Sequence, residues 1–335
     1  MASLDVTAPA WAATLALIGA LFAIDLLLSG RRPHAVEFRE AAAWSLFYVG
    51  VAVGFGVVFA ALAGWDRGAE YFAGYIVEKS LSVDNLFVFV VIMTTFAVPR
   101  EHQQRVLTFG ILGALALRAV FIAIGAALLA AFSFMFLLFG LLLIVTAVQL
   151  FRHRDDDPAI EDNAIVAFAR RRLPFTDAYE SGRLWIRERG RRVFTPLFLV
   201  LLSIATVDVV FALDSIPAIF GITDEPYIVF AANAFALLGL RALFFLVTGL
   251  LDRLVYLSTG LAAILLFIGA KLVLHYAHEQ EKSIPEISIG LSLSVIVAIL
   301  SVATVASLIK VRRDPAARAH AGSLRGHAPT VEERA

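Results

Sequence analysis

Residues 71–97 read YFAGYIVEKSLSVDNLFVFVVIMTTFA. The run is long enough to cross a bilayer, because about 20 residues at 1.5 Å rise each span the hydrocarbon. Its interior nevertheless carries Glu78, Lys79 and Asp84, followed by Asn85. An ionisable side chain at membrane depth is expensive, so it faces the bundle interior or a hydrated path and marks function. This stretch decides the fold class: an all-α polytopic membrane protein built around charges.

Composition agrees. Of 335 residues, 60% are hydrophobic and 17% charged, with a mean hydropathy of +0.84. Water-soluble domains run near 45–50% apolar and about 25% charged. Apolar runs near 8–29, 42–63, 71–97, 106–129, 131–151, 194–220, 227–250, 254–275 and 287–309 give about nine transmembrane helices. Period-two alternation is absent, which argues against a β-barrel. The first run has no Lys or Arg before it and no small-residue cleavage site after it, so it reads as a retained span rather than a signal peptide. A formal net charge of zero gives no electrostatic footprint for nucleic acid. No cysteine is present, so disulfides, thiolate metal sites and cysteine nucleophiles do not arise from these residues.

Charge bias sets an orientation. Three Lys or Arg fall in 30–41, two in 98–105, ten in 152–193, one at Arg253 and six in the tail, against Arg67 and Lys282 on the opposite side. Cytoplasmic loops are enriched in Lys and Arg, which places the N-terminus outside and the C-terminus inside. The expected organisation is a two-helix segment (1–70), a first three-helix repeat (71–151), a basic cytoplasmic loop (152–193), a second three-helix repeat (194–275), a last helix (276–309) and a cytoplasmic tail (310–335). The basic loop suits contact with anionic lipid.

Nine ionisable residues fall inside the spans: Asp25, Glu78, Lys79, Asp84, Arg118, Asp208, Asp214, Arg241 and Lys271. Facing lipid they would cost on the order of 25 kcal/mol, more than a typical protein's stability. They must be paired, hydrated or metal-bound, and Asp25 and Lys271, near span ends, are the ones expected to snorkel. Two spans echo one another. Glu78 and Asp84 are six residues apart, as are Asp208 and Asp214, and Asn85 and Ser215 follow the second acid of each pair. Leu117-Arg118-Ala119-Val120-Phe121 is echoed by Leu240-Arg241-Ala242-Leu243-Phe244. A repeated unit of three spans has opposite orientations in its two copies, the inverted-repeat plan of many secondary transporters.

Carboxylate, amide and hydroxyl oxygens are hard ligands and suit Mg, Ca or Mn. The candidate metal path is therefore Glu78, Asp84, Asn85, Asp208 and Asp214, with Lys79, Arg118 and Arg241 balancing charge and Asp25, Ser215 and Asn233 as accessory positions. Six residues leave two side chains about 120° apart on a regular helix, so a local unwinding at Ser80–Asp84 is expected if one segment is to gather both acids. Permanent ion pairing of the bases with the acids is the plainer alternative. His275, His278 and Glu279 read as solvated charge rather than a metal trap.

The stretch from Glu78 through Asp84-Asn85-Leu86-Phe87-Val88-Phe89 resembles the TerC/Alx family of bacterial integral membrane proteins. Arg105-Val106-Leu107, Gly110 through Ala114, Leu117-Arg118-Ala119, Asp208 through Ala218, and Arg31-Arg32-Pro33-His34 are similar to it as well. The resemblance covers roughly residues 15–275 and implies a manganese exporter of the LysE-type group in the bacterial inner membrane. It implies Mn²⁺ as cargo with no tightly bound cofactor, and the lipid bilayer, a homo-oligomer or tellurium-resistance proteins as partners. The coupling ion is open, and a proton-coupled exchange is chemically reasonable. An intramembrane aspartyl hydrolase lacks its Gly-x-Gly-Asp context here, so no enzyme is expected. A membrane component of a tellurite- or metal-stress complex, with no transport of its own, is the competing reading.

Overall fold

The computed structural model describes residues 6–31, 38–152, 164–176, 179, 182–188, 191–247 and 255–313. The side chain of Asp84, one of the candidate acids, lies outside the described residues, as does Arg253. The chain is helical almost throughout: α1 (Ala8–Arg31), α2 (Phe38–Ala63), α3 (Trp65–Thr95), α4 (Arg100–Ala131), α5 (Phe134–Arg152), α6 (Ala164–Arg172), α7 (Pro196–Phe220), α8 (Pro226–Leu237), α9 (Leu240–Val247), α10 (Leu257–Gln280) and α11 (Ile289–Arg313). A small hairpin interrupts the polar segment between α6 and α7. Its strands β1 (Trp185–Glu188) and β2 (Arg191–Phe194) pair antiparallel, Trp185 opposite Phe194.

Local sequence sets the helix ends. Pro196 and Pro226 open α7 and α8 at first-turn positions, where a missing N–H costs nothing. Pro99 precedes α4, and the joint at Phe132–Ser133 separates α4 from α5, just past the 129–131 boundary expected from the sequence.

Seven helices, α1, α2, α4, α5, α7, α10 and α11, are long and apolar enough to cross a membrane, and α8 with α9 forms an eighth such unit bent by 41°. Against the nine spans expected, α3 is the one that composition does not support. It is 31 residues long, but its charged residues make every bilayer-length window of it too polar. α3 instead packs against α2, α7, α8, α10 and α11. Residues such as Leu46, Val58, Leu62, Val120 and Val302 on the surrounding helices are exposed, as a lipid-facing surface requires. The closest helix contact joins α5 and α10. There a Cβ on Gly140 would lie 2.8 Å from the Gly269 carbonyl, and a Cβ on Gly269 equally close to that of Gly140. Small residues at such crossings let backbones approach in lipid.

The expected unwinding at Ser80–Asp84 does not occur. α3 is a single helix from Trp65 to Thr95, and the Ser80 hydroxyl donates back to the Ile76 carbonyl at 2.7 Å. A hydroxyl bonded one turn back is satisfied inside a regular helix. The irregular backbone sits in the second half, between α8 and α9, where Gly239 has φ +76°.

Candidate functional site

The deepest polar cluster joins three helices. The Arg118 guanidinium of α4, 1% exposed, pairs with the Glu78 carboxylate of α3 and lies 3.6 Å from Oδ1 of Asp208 on α7. The Ser82 hydroxyl donates to Glu78 Oε1 at 3.4 Å, one turn further along α3. Asn85, oriented by its hydrogen bonds, donates to the Leu81 carbonyl at 3.0 Å and accepts from Arg118 Nη2 at 3.3 Å. One cation thus sits between two acids contributed by two different helices. A charge at this depth is tolerated only if paired and hydrogen-bonded.

The cluster is not fully satisfied. Glu78 Oε2, Asp208 Oδ2, the Ser215 hydroxyl and both amide atoms of Asn233 are buried without a hydrogen-bond partner among the described residues. Asn233 belongs to the same layer. Val229 packs with Ile122 and Ala212. Asn233 is one helical turn on from Val229, Arg118 one turn before Ile122 and Asp208 one turn before Ala212. Residues i and i+4 share a helix face, and all three steps run the same way along the bundle.

The other sequence candidates are placed differently. Asp214 accepts from Thr146 of α5 at 2.9 Å, so its bond points to α5 and not to Arg118. Among the described residues, the Lys79 ammonium donates to the carbonyls of Ala236 at 3.0 Å and Leu238 at 3.3 Å. Arg241 pairs at 2.8 Å with Asp25, which also accepts from Tyr48 at 3.1 Å, so Asp25 is tied into the bundle rather than reaching for the interface. Among the described residues no three His, Cys, Asp or Glu side chains are arranged to hold a metal ion. Of the four candidate acids, the described residues bring Glu78 and Asp208 together with Arg118 between them. Thr146, Tyr48 and the break at Gly239 escaped the sequence reading. A lone hydroxyl or glycine in an apolar run is a weak signal, though Gly239 two residues before Arg241 was available to it.

A second polar group lies where α7 turns into α8. Thr223 donates to Glu70 Oε2 at 2.5 Å, and Arg67 bonds both Glu70 and Glu225. Burial pushes the Asp224 carboxyl above its ordinary range, opposed by the neighbouring charges of His275 and Lys271. His275 meets Glu286 at 2.8 Å and His278 the Ile284 carbonyl at 2.5 Å.

The family described as integral membrane protein TerC matches residues 63–315, from the start of α3 to just past α11. The chain belongs to the TerC family. Its relatives cover nearly all of it. An uncharacterized membrane protein of Myxococcus xanthus is 43% identical over 93% of this chain and 95% of its own length. One from Mycobacterium tuberculosis (strain H37Rv) is 44% identical over 90% of this chain and 79% of its own. A protein of Escherichia coli K12, provisionally named membrane-bound redox modulator Alx, is 39% identical over 87% and 91%. No solved structure matches. As a TerC family member the chain is an integral, multi-pass membrane protein, and the buried Glu78–Arg118–Asp208 cluster lies wholly within the matched region.

Proposed function

We propose that this TerC family member is a secondary transporter that exports Mn²⁺, or a similar hard divalent cation, across the bacterial cytoplasmic membrane, and that it is not an enzyme. The observation that carries the reading is the Arg118 guanidinium held between Glu78 and Asp208 with one oxygen of each acid left unpartnered. In this arrangement Arg118 offsets one of the two carboxylate charges when the site holds no cargo. A divalent cation entering the layer displaces the guanidinium and takes the carboxylate oxygens, with Asn85, Asn233 and Ser215 as neutral donors. Such oxygen ligands suit Mn²⁺. Arg118 then returns as the cation leaves, which keeps the buried acids from standing uncompensated. Asp214 and Asp84 serve as steps along the path.

Helix packing supports a two-fold plan. α3 packs on α8 and α4 packs on α7, while α5 packs on α10. If α3, α4 and α5 correspond to α7, α8–α9 and α10, the first two contacts interchange and the third maps onto itself. Sites at such repeat interfaces are where alternating access operates. With α3 counted as a ninth crossing enclosed by the other helices, the charge bias argues for an N-terminus outside and a C-terminus in the cytoplasm. A redox role of the kind named for the E. coli relative would have to proceed without thiols, since this sequence has none.

The test measures total manganese by mass spectrometry in bacteria lacking their own exporters and loaded with Mn²⁺. Wild type is compared with Glu78→Gln/Arg118→Met/Asp208→Asn, which removes both acids and their base together, at matched membrane levels. Wild type is expected to lower cellular manganese and the triple variant to leave it at the level of the empty vector. Equal lowering by both overturns the site, and no lowering by wild type overturns manganese export in favour of a stress-complex component.

A further inference from the structure

The break between α8 and α9 creates an electrostatic problem in a membrane. α8 stops at Leu237, the chain turns through Leu238 and Gly239, and α9 resumes at Leu240 at an angle of 41°. The last carbonyls of a helix have no partner within it, and together they carry roughly half a negative charge. Lipid cannot satisfy them. In transporters with broken helices, unwound carbonyls and half-helix C-terminal ends are where a coupling Na⁺ is held.

Here that place is filled by a side chain. The Lys79 ammonium reaches from α3 to the Ala236 and Leu238 carbonyls, its two acceptors among the described residues. The turn is fixed from two further sides. A Cβ on Gly239 would meet Tyr48 of α2 at 2.7 Å, and Arg241, two residues on, is held by Asp25 of α1. A narrow crevice lined by Phe22, Asp25, Thr108, Leu238, Gly239 and Arg241 runs to the break.

We propose that Lys79 occupies a monovalent alkali-cation site built from the α8 terminal carbonyls, a tethered stand-in for Na⁺ or K⁺. The chain then holds its broken helix without drawing on an alkali-cation gradient, and shortening Lys79 uncovers a site that takes the free ion. The carbonyl site stands on geometry alone; its bearing on transport rests on the function proposed above.

The experiment separates the two. Purified full-length protein is melted in detergent at fixed pH in NaCl, KCl or N-methylglucamine chloride at equal ionic strength. Wild type is expected to show one Tm in all three. Lys79→Ala is expected to melt lower in N-methylglucamine and to recover by about 5 °C in NaCl or KCl, saturably, when the ion is near a hundred times its dissociation constant. Lys79→Met, which fills the space without a charge, is expected to melt low in every salt. A Lys79→Ala protein that no alkali ion restores, or that cannot be recovered folded even from membranes prepared in high NaCl or KCl, overturns the proposal. So does a wild type stabilised as much as the variant. Manganese export by wild type in cells is read separately. Its failure sinks the transport reading and leaves the ion rescue standing, while failed rescue with intact export sinks only the Lys79 assignment.

Discussion

Arg118 and Arg241 occupy the same position in two copies of a Leu-Arg-Ala signature, yet the molecule uses them differently. Arg118 sits on a continuous helix, α4, and is buried between acids of α3 and α7. Arg241 sits two residues past a helix break, is 15% exposed, and pairs with Asp25 of α1. The signature occurs twice in the sequence, and packing gives each copy its own partner. The first guanidinium joins the two acidic helices to each other. The second anchors an accessory helix to a flexion point, and its partner Asp25 offsets a base placed near the positive end of α9.

The largest expected effect comes from breaking the first pair. Arg118→Met leaves two buried carboxylates without a counter-charge, which is expected to cost about 3–5 kcal/mol. Arg241→Met removes a partly exposed charge-assisted bond and is expected to cost about 1–2 kcal/mol. Thermal melts of the two variants in the same detergent check the order. Adding Glu78→Gln and Asp208→Asn to Arg118→Met is expected to return most of the lost stability, because no buried charge then remains. Equal losses at the two arginines would erase the asymmetry.

The break itself gives the next effect. Gly239 has φ +76° and Tyr48 stands where a Cβ would go, so Gly239→Ala is expected to lower stability by about 1–3 kcal/mol. Gly113 on the unbroken α4 has open space around it, and Gly113→Ala is expected to stay within about 0.5 kcal/mol of wild type. The same melts read both. A smaller contrast concerns the two acids of α7. Thr146→Val deprives Asp214 of its hydroxyl donor and is expected to cost about 1 kcal/mol. Combined with Arg241→Met it is expected to add within about 0.5 kcal/mol, since the two sites share no partner.

The residues of the buried cluster are legible in the sequence because the membrane makes a charge conspicuous: Glu78, Arg118 and Asp208 stand out in apolar runs, and the structure joins them. Their pairing is not legible. Helical phase puts Asp208 and Asp214 about 120° apart, but only the packing of α4 and α5 on α7 decides which acid meets Arg118 and which meets Thr146. Serines weaken helices, which points to a polar turn at Ser80–Asp84, whereas α3 absorbs its serines through bonds to the preceding turn. The actual break falls at a glycine in an apolar run, where the deciding facts are a lysine 157 positions before its Ala236 acceptor and a tyrosine on α2. The hairpin of residues 185–194 is hidden for a similar reason, since its charge density reads as loop until Trp185 and Phe194 are paired.

The smallest effect tests what burial contributes to an ion pair. His275 and Glu286 meet at 2.8 Å, as closely as Arg241 and Asp25, but their side chains are 26% and 51% exposed. The hydrogen bond from His275 holds the Glu286 carboxyl below its ordinary value of 4.5. A carboxylate depressed in the folded state adds stability above its unfolded pKa and loses it as pH falls through the folded one. Solvent screens a pair this open, so its contribution at neutral pH is expected to stay under about 1 kcal/mol. Glu286→Gln should accordingly melt slightly below wild type at pH 6, with the gap closing as pH falls below the ordinary glutamate value of 4.5. If the gap instead matched that of Arg241→Met, exposure would not be what separates the two pairs, and the contrast between the buried and the open arginine sites would need another cause.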